Sequence, residues 1–182
     1  IVMVGEMRDI ETAQIGIQAS LTGHLVLSTV HTNSAVAAIT RLRDMGIESF
    51  LLASSLRTII SQRLVRRLCL NCRHDDEPTS EVAKLFNLSN GQKVYKSKGC
   101  DKCSHTGYQG RIAIAECIQV DKRLKEMIHN NSSETEISNY VFKDNQSIDK
   151  ASQDLLINGI TSADELIRVG NLKEDAYFKK TH

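Results

Sequence analysis

The 182-residue chain has no tryptophan, one proline and only eight aromatic residues, and its charges nearly cancel, leaving a formal net charge of +1. Each scarcity removes a class of protein. A chain so close to neutral lacks the marked basic excess of a dedicated nucleic-acid binder, and so few rings offer little for bases to stack on. No apolar run is long enough to cross a bilayer, and the opening Ile1-Val2-Met3-Val4 is far too short for a signal peptide. The expectation is a soluble, cytoplasmic protein. With 41% hydrophobic residues, the chain is expected to be globular and largely helical, with room for one full domain and a small second one. None of the ten glycines is followed by lysine, so the phosphate-cradling loop G-x-x-x-x-G-K-S/T does not occur. The first residue already lies inside a strand, with neither methionine nor cap, and a segment of a longer protein is therefore expected.

What is present is organised around residues 1–33. Ile1 to Val4 are apolar and mostly β-branched and stop at Gly5-Glu6. A helix is predicted next, with Ile10, Ala13, Ile17 and Leu21 on one face and Gly23 closing it. Leu25 to Val30 form a second apolar strand that ends at His31. Two such strands joined by a helix make a βαβ unit, in which the strands run parallel and are buried on both faces. Ligands of these sheets bind beyond the carboxyl ends of the strands, where both Glu6 and His31 fall. A carboxylate after Gly5 can hold Mg²⁺ through water or orient an attacking water. The turn His31-Thr32-Asn33-Ser34 sets four hydrogen-bonding side chains at the matching place, where a γ-phosphate would be sensed. His24 sits at the opposite end of that strand, roughly 20 Å away at about 3.3 Å per residue, as a structural cap or a contact to a neighbour.

Ser34 is an N-cap for a helix with Val36, Ile39 and Leu42 inward, ending at Met45-Gly46. A second helix is predicted from about Glu48, with Phe50, Leu51, Leu56, Ile59, Ile60 and Leu64 inward. It would bring Arg63, Arg66 and Arg67 to a helix C-terminus, where cations are favoured. Every cation before Lys84 is arginine, which suits phosphates, carboxylates and subunit interfaces.

Cys69-Leu-Asn-Cys72 and Cys100-Asp-Lys-Cys103 are two C-x-x-C pairs separated by 27 residues. Two such knuckles complete a tetrahedral Zn²⁺ shell with bonds of about 2.3 Å, and four thiolates leave no position open for chemistry, so the zinc is expected to be structural. Disulfides or free thiols are the competing reading, disfavoured inside a cell. The intervening segment is slightly longer than the commonest spacing, which a loop insertion would explain, and the module is expected to have little core of its own. His74 and His105 could replace a cysteine but read better as surface residues. Cys117 lies in the alternating stretch Ile112 to Cys117 and is expected to be a small buried hydrophobe. From Asp121 onward short helices follow, capped by Asp121, Ser133 with Glu136, Ser147, and Ser162 with Glu165.

The stretch VGEMRDIETAQIGIQASLTGHLVLSTVHTNSAVAAITRLRDMGIE closely resembles the type II secretion and type IV pilus assembly ATPases, and the likeness runs through the cysteines to about Val169. The resemblance implies an α/β fold: the C-terminal part of a RecA-like P-loop ATPase domain (residues 1–66), a tetracysteine zinc module (67–118), a C-terminal helical subdomain (119–170) and a flexible tail (171–182). It makes Gly5, Glu6, Arg8 and Asp9 the Walker B segment, with Glu6 the catalytic or metal-ordering glutamate. His24, His31, Thr32 and Asn33 become the histidine box, with His31 the phosphate sensor, and Arg63 falls at a subunit boundary. Cys103 to Arg111, with Gly107 and Gly110 at tight turns, resembles the family's cysteine-rich insertion, and INGITSADELIRV its usual ending. The family carries its phosphate loop upstream, so this segment alone is expected to bind ATP and Mg²⁺ poorly. The implied parent is a hexameric cytoplasmic motor, peripheral to the bacterial inner membrane. It would engage an inner-membrane platform protein and the cytoplasmic domain of a membrane anchor protein, with no nucleic acid, to drive pseudopilus assembly in type II secretion. Type IV pilus assembly is the alternative, and a non-enzymatic zinc-ribbon interaction module is a reading from another class.

Overall fold

The computed structural model describes residues 1–170, which divide into two compact units. Unit 1 comprises Ile1–Ser61 and Glu116–Gln146; unit 2 comprises Gln62–Ala115 and the described residues from Ser147 onward. Residues 171–182, expected from sequence to form a polar tail, lie outside the described part. Among the described residues no helix is long and apolar enough to cross a membrane.

Unit 1 opens with strand β1 (Val2–Val4), helix α1 (Ile10–Leu21) and strand β2 (Val26–Ser28). β1 and β2 pair in parallel, with Val2 opposite Val26, Met3 opposite Leu27 and Val4 opposite Ser28. Asp9 caps α1 by accepting the Thr12 N–H at 2.8 Å. At the other end Gly23 adopts φ +98°, a conformation that costs glycine nothing and lets the chain reverse into β2. The burial expected on both faces of this sheet is not met. The cross-strand partners Met3 and Leu27 are 77% and 50% exposed, so one apolar face is open to solvent, and Ile10 and Leu21 at the ends of α1 are also well exposed.

Helix α2 (Ala35–Asp44) starts at Ser34, whose hydroxyl accepts the Ala37 N–H at 3.0 Å. It buries Val36, Ile39 and Leu42 as its spacing predicts. Helix α3 (Ser49–Ser55) is short, and the predicted continuation through Arg67 is instead strand β3 (Thr58–Leu68). Ile59, Ile60 and Leu64 match a helical spacing, but Leu56 is already extended (ψ 133°), and side chains of β3 alternate between inward and outward positions. Ile60 and Leu64 are consequently exposed rather than inward, and Phe50, on α3, is exposed as well. Arg63, Arg66 and Arg67 do not sit at a helix end. Helices α5 (Lys122–His129) and α6 (Glu134–Val141) complete unit 1, each begun by the predicted cap, Asp121 and the Ser133–Glu136 capping box. Leu124, Ile128, Ile137 and Val141 join Val36, Ile39, Leu42 and Leu52 in one core. Arg43 ties α2 to the end of α5, donating to the carbonyls of Ile128 (2.8 Å) and Ser132 (3.0 Å).

In unit 2 the segment between the cysteine pairs has regular structure of its own. It contains strand β4 (Arg73–Asp76), helix α4 (Ser80–Leu85) and strand β5 (Val94–Ser97), with β4 and β5 antiparallel and Arg73 opposite Ser97. A single 3-10 turn spans Asp101–Cys103, and strand β6 (Tyr108–Gln119), which pairs with β3, carries the chain from unit 2 back to unit 1. Helices α7 (Ile148–Ile157) and α8 (Ala163–Gly170) belong to unit 2, whereas α5 and α6 belong to unit 1, so residues 119–170 are shared between the units. The cysteine-bearing unit also has a core of its own, built from Val65, Val82, Phe86, Val94, Ile114, Leu156, Leu166 and Ile167. Cys117 is exposed. The alternation of β6 has the other phase, and Ile114, Glu116 and Ile118 point inward.

Candidate functional sites

The first site lies at the carboxyl ends of β1 and β2. Pairing continues past both strands, since Met7 N–H donates to Thr29 O at 2.9 Å and the Thr29 hydroxyl donates to Gly5 O at 2.7 Å. Parallel strands held in this register carry the residues that follow them to the same rim. Glu6 and His31 therefore meet, with His31 Nε2 3.1 Å from Glu6 Oε1. Arg8 Nε donates to the other carboxylate oxygen at 2.5 Å. The result is a carboxylate flanked by an imidazole and a guanidinium, with His31 and Arg8 largely exposed and Glu6 mostly covered. Such a group can order a divalent cation or a water, and its two nitrogen-bearing neighbours can face an anion.

The other motif residues divide between this rim and scaffolding. Thr32 and Asn33 follow His31 in the same turn, where the Thr32 hydroxyl donates to Ser34 O at 3.0 Å. Asp9 caps α1, and the Thr12 N–H it accepts holds its carboxyl below the usual range. His24 is not at the rim. Its Nδ1 lies 3.1 Å from Ala19 O and 3.3 Å from the Thr22 hydroxyl, so it closes the C-terminal end of α1. Glu116, not singled out from sequence, is buried on β6 and accepts the Ala35 N–H at 2.7 Å. Its signal was an acid sharing the inward phase of Ile114 and Ile118.

The second site is the cysteine cluster of unit 2. The Sγ atoms of Cys69, Cys72, Cys100 and Cys103 all lie within 4.8 Å of one another. Cys69 to Cys100 measures 4.0 Å, and Cys72 to Cys103 and Cys100 to Cys103 each measure 3.8 Å. A tetrahedron of thiolates around zinc at about 2.3 Å has edges of about 3.8 Å, so the donor set fits that ion. The knuckles are shaped by backbone hydrogen bonds: Arg73 N–H donates to Cys69 O and His105 N–H to Cys100 O, each at 2.9 Å. The N–H groups of Cys100 and Gly107 both point at Cys103 Sγ at 3.2 Å. Burial works against ionising Cys103, but these donors prevail and bring its thiol down to about 6, while burial pushes the Cys72 thiol up to about 11. Gly107 has φ +77°, and a Cβ there would lie 2.3 Å from Ser97 Cβ. His74 and His105 are exposed and outside the cluster, His105 pairing with Asp101 at 3.1 Å.

The turn between α7 and α8 is fastened beside this cluster. Leu68 N–H donates to Ile160 O at 2.8 Å, the Thr161 hydroxyl to Arg66 O at 2.8 Å, and Arg73 Nη1 to Gly159 O at 2.5 Å. Tyr108 OH and Ser162 Oγ share a hydrogen bond of 2.7 Å, and the Arg66 guanidinium lies 4.1 Å from the centre of the Tyr108 ring. Ser162 caps α8 as predicted, accepting the Glu165 N–H, but Glu165 turns to Arg66 and Arg168 instead of reaching back. Arg63 donates to Val169 O at 2.6 Å.

The chain is 50% identical over 171 residues to the type II secretion system ATPase E of Vibrio cholerae and 49% identical over 172 residues to the type II secretion system protein E of Aeromonas hydrophila. Each match covers 93% of this chain and 34% of the relative, so the chain spans about a third of the length of these proteins. Among solved structures, the pilus retraction motor PilT with bound ADP aligns with a TM-score of 0.60 at 23% identity, over 91% of this chain and 38% of that one, a likeness of fold. The model of the type II/IV secretion system protein family matches residues 1–168, and the chain belongs to that family.

Proposed function

We propose that this chain is a segment of a type II secretion ATPase, in which it forms one wall of the nucleotide site. The observation that carries the reading is the approach of His31 Nε2 to Glu6 Oε1, 3.1 Å, at the carboxyl rim of two parallel strands. Glu6 would order Mg²⁺ through water or orient the attacking water, and His31 would sense the γ-phosphate supplied with the rest of a RecA-like domain. The bound Mg²⁺ would neutralise charge on the transferring phosphoryl group. Arg8 would exchange Glu6 for a phosphate oxygen. Thr32 and Asn33 set the turn that holds His31, Asp9 and His24 set the two ends of α1, and Gly5 leaves room for phosphate beside the backbone. The relatives' names favour type II secretion over pilus assembly.

Cys69, Cys72, Cys100 and Cys103 would hold one structural zinc per chain, whose closed shell fixes both knuckles. In this reading the parent is a cytoplasmic hexameric ring at the inner membrane. It works with a platform protein and the cytoplasmic domain of an anchor protein, and α7 with α8 forms a helical end piece. The segment by itself carries no phosphate loop and would turn over no ATP.

The test is the full-length parent with Glu6→Gln. The amide keeps the shape but removes the charge, and ATP turnover is expected to fall by at least about 100-fold while ATP still binds. Turnover at the wild-type rate in Glu6→Gln would overturn the role given to Glu6, and a parent that binds no nucleotide would leave a zinc-ribbon interaction module as the better description.

A further inference from the structure

The geometry points to Glu116 as a positioning residue for His31. This rests on the nucleotide-site reading above and adds to it a side chain that stands 85 positions from His31 in the sequence. Glu116 is 3% exposed, on β6, and its Oε1 accepts the N–H of Ala35 at 2.7 Å. Ala35 is the first residue of α2 and is itself 1% exposed, so no water can take over that hydrogen bond.

The turn carrying His31 is built on this helix start. The Ser34 hydroxyl accepts from Ala37, and the Thr32 hydroxyl donates to Ser34 O, so His31 leaves β2 through a turn fastened residue by residue to the N-terminus of α2. Those two bonds are local and move with the turn. Glu116 supplies an anchor from a distant part of the sequence, and its charge is of the sign that a helix N-terminus favours. Through that N–H it acts on the backbone of Ala35, where the turn carrying His31 meets α2. A carboxylate here fixes where α2 begins, and with it the reach of the imidazole to Glu6.

The test uses the full-length parent ATPase. Glu116→Ala is expected to lower kcat by on the order of tenfold to a hundredfold, with KM for ATP within about twofold, because a displaced His31 affects the reacting geometry more than binding. Glu116→Gln keeps an oxygen for the Ala35 N–H and is expected to restore kcat to within about threefold of wild type. Glu116→Asp, one methylene short, is expected to fold and to fall between them. Wild-type kcat per folded site in Glu116→Ala or Glu116→Asp overturns the proposal, as does a Gln variant no better than Ala. If Glu116→Ala does not accumulate as folded protein, the Asp and Gln variants decide. Glu6→Gln in the same parent separates the two claims. If it is inactive while Glu116→Asp runs at full rate, only the positioning role fails; if it runs at full rate, the nucleotide-site reading fails.

Discussion

Replacing Glu165 with glutamine tests how unit 2 is held together. The carboxylate is 1% exposed and accepts five hydrogen bonds: from the Arg66 N–H (2.9 Å), Arg66 Nε (3.0 Å) and Nη2 (2.7 Å), and Arg168 Nε (2.9 Å) and Nη2 (2.7 Å). Burial alone would raise its pKa, but the two guanidinium groups and the backbone donor bring it down to about 2 from the ordinary 4.5. At about 1.4 kcal/mol per pH unit that depression corresponds to roughly 3 kcal/mol, and closer to 2 after allowing for the half-exposed arginines, whose charges water screens. A carboxyl with a lowered folded pKa stabilises fully above its unfolded value and loses that contribution as pH falls from about 4.5 towards 2. Glu165→Gln is therefore expected to lower the melting temperature of unit 2 by roughly 8–15 °C at pH 7, at about 4–8 °C per kcal/mol. The gap should shrink by about half at pH 3. Calorimetry of both proteins at each pH is the assay, and release of zinc in acid, common to both, cancels in the difference. Equal melting at pH 7, or a gap that does not change between pH 7 and pH 3, would refute the reasoning.

Three further outcomes concern the cysteine centre. Protein purified under reducing conditions should contain about one zinc per chain by elemental analysis. Chelation should strip exchange protection from amides 147–170, because the α7–α8 turn hangs on Leu68, Arg66 and Arg73 beside Cys69. Protection unchanged after the metal is gone would show that the helices stand without it. Gly107→Ala forces a Cβ against Ser97 at a positive φ and displaces a donor to Cys103, so zinc affinity measured by chelator competition should fall by about 10–100-fold.

Much of unit 1 could be read residue by residue. The caps Ser34, Asp121 and Ser133 with Glu136 mark helix starts by chemistry that acts within three residues, and the structure begins α2, α5 and α6 at those places. The parallel pairing of β1 and β2, and with it the meeting of Glu6 and His31, follows from two apolar strands bridged by one helix. β3 was hidden because Ile59, Ile60 and Leu64 satisfy a helical period, and only pairing with β6, a long-range fact, decides for strand. The phase of β6 was hidden for a similar reason: Ile-Ala alternation fits either side, and burial of Glu116 depends on a hydrogen bond to Ala35, far away in the sequence. The division of the last four helices between two units depends on which core each one joins, and their caps say nothing about that.

The bare side of the β1–β2 pair has a practical consequence. Ile1, Met3, Leu25 and Leu27 form an oily strip with no charged residue among them, and all are at least half uncovered. Strips of this kind seek partners of their own sort, so a concentrated solution of the isolated segment should cloud or bind an apolar dye well before its helices melt. Lysine at Met3 or Leu27 would keep it clear without touching the carboxylate and imidazole a few residues on.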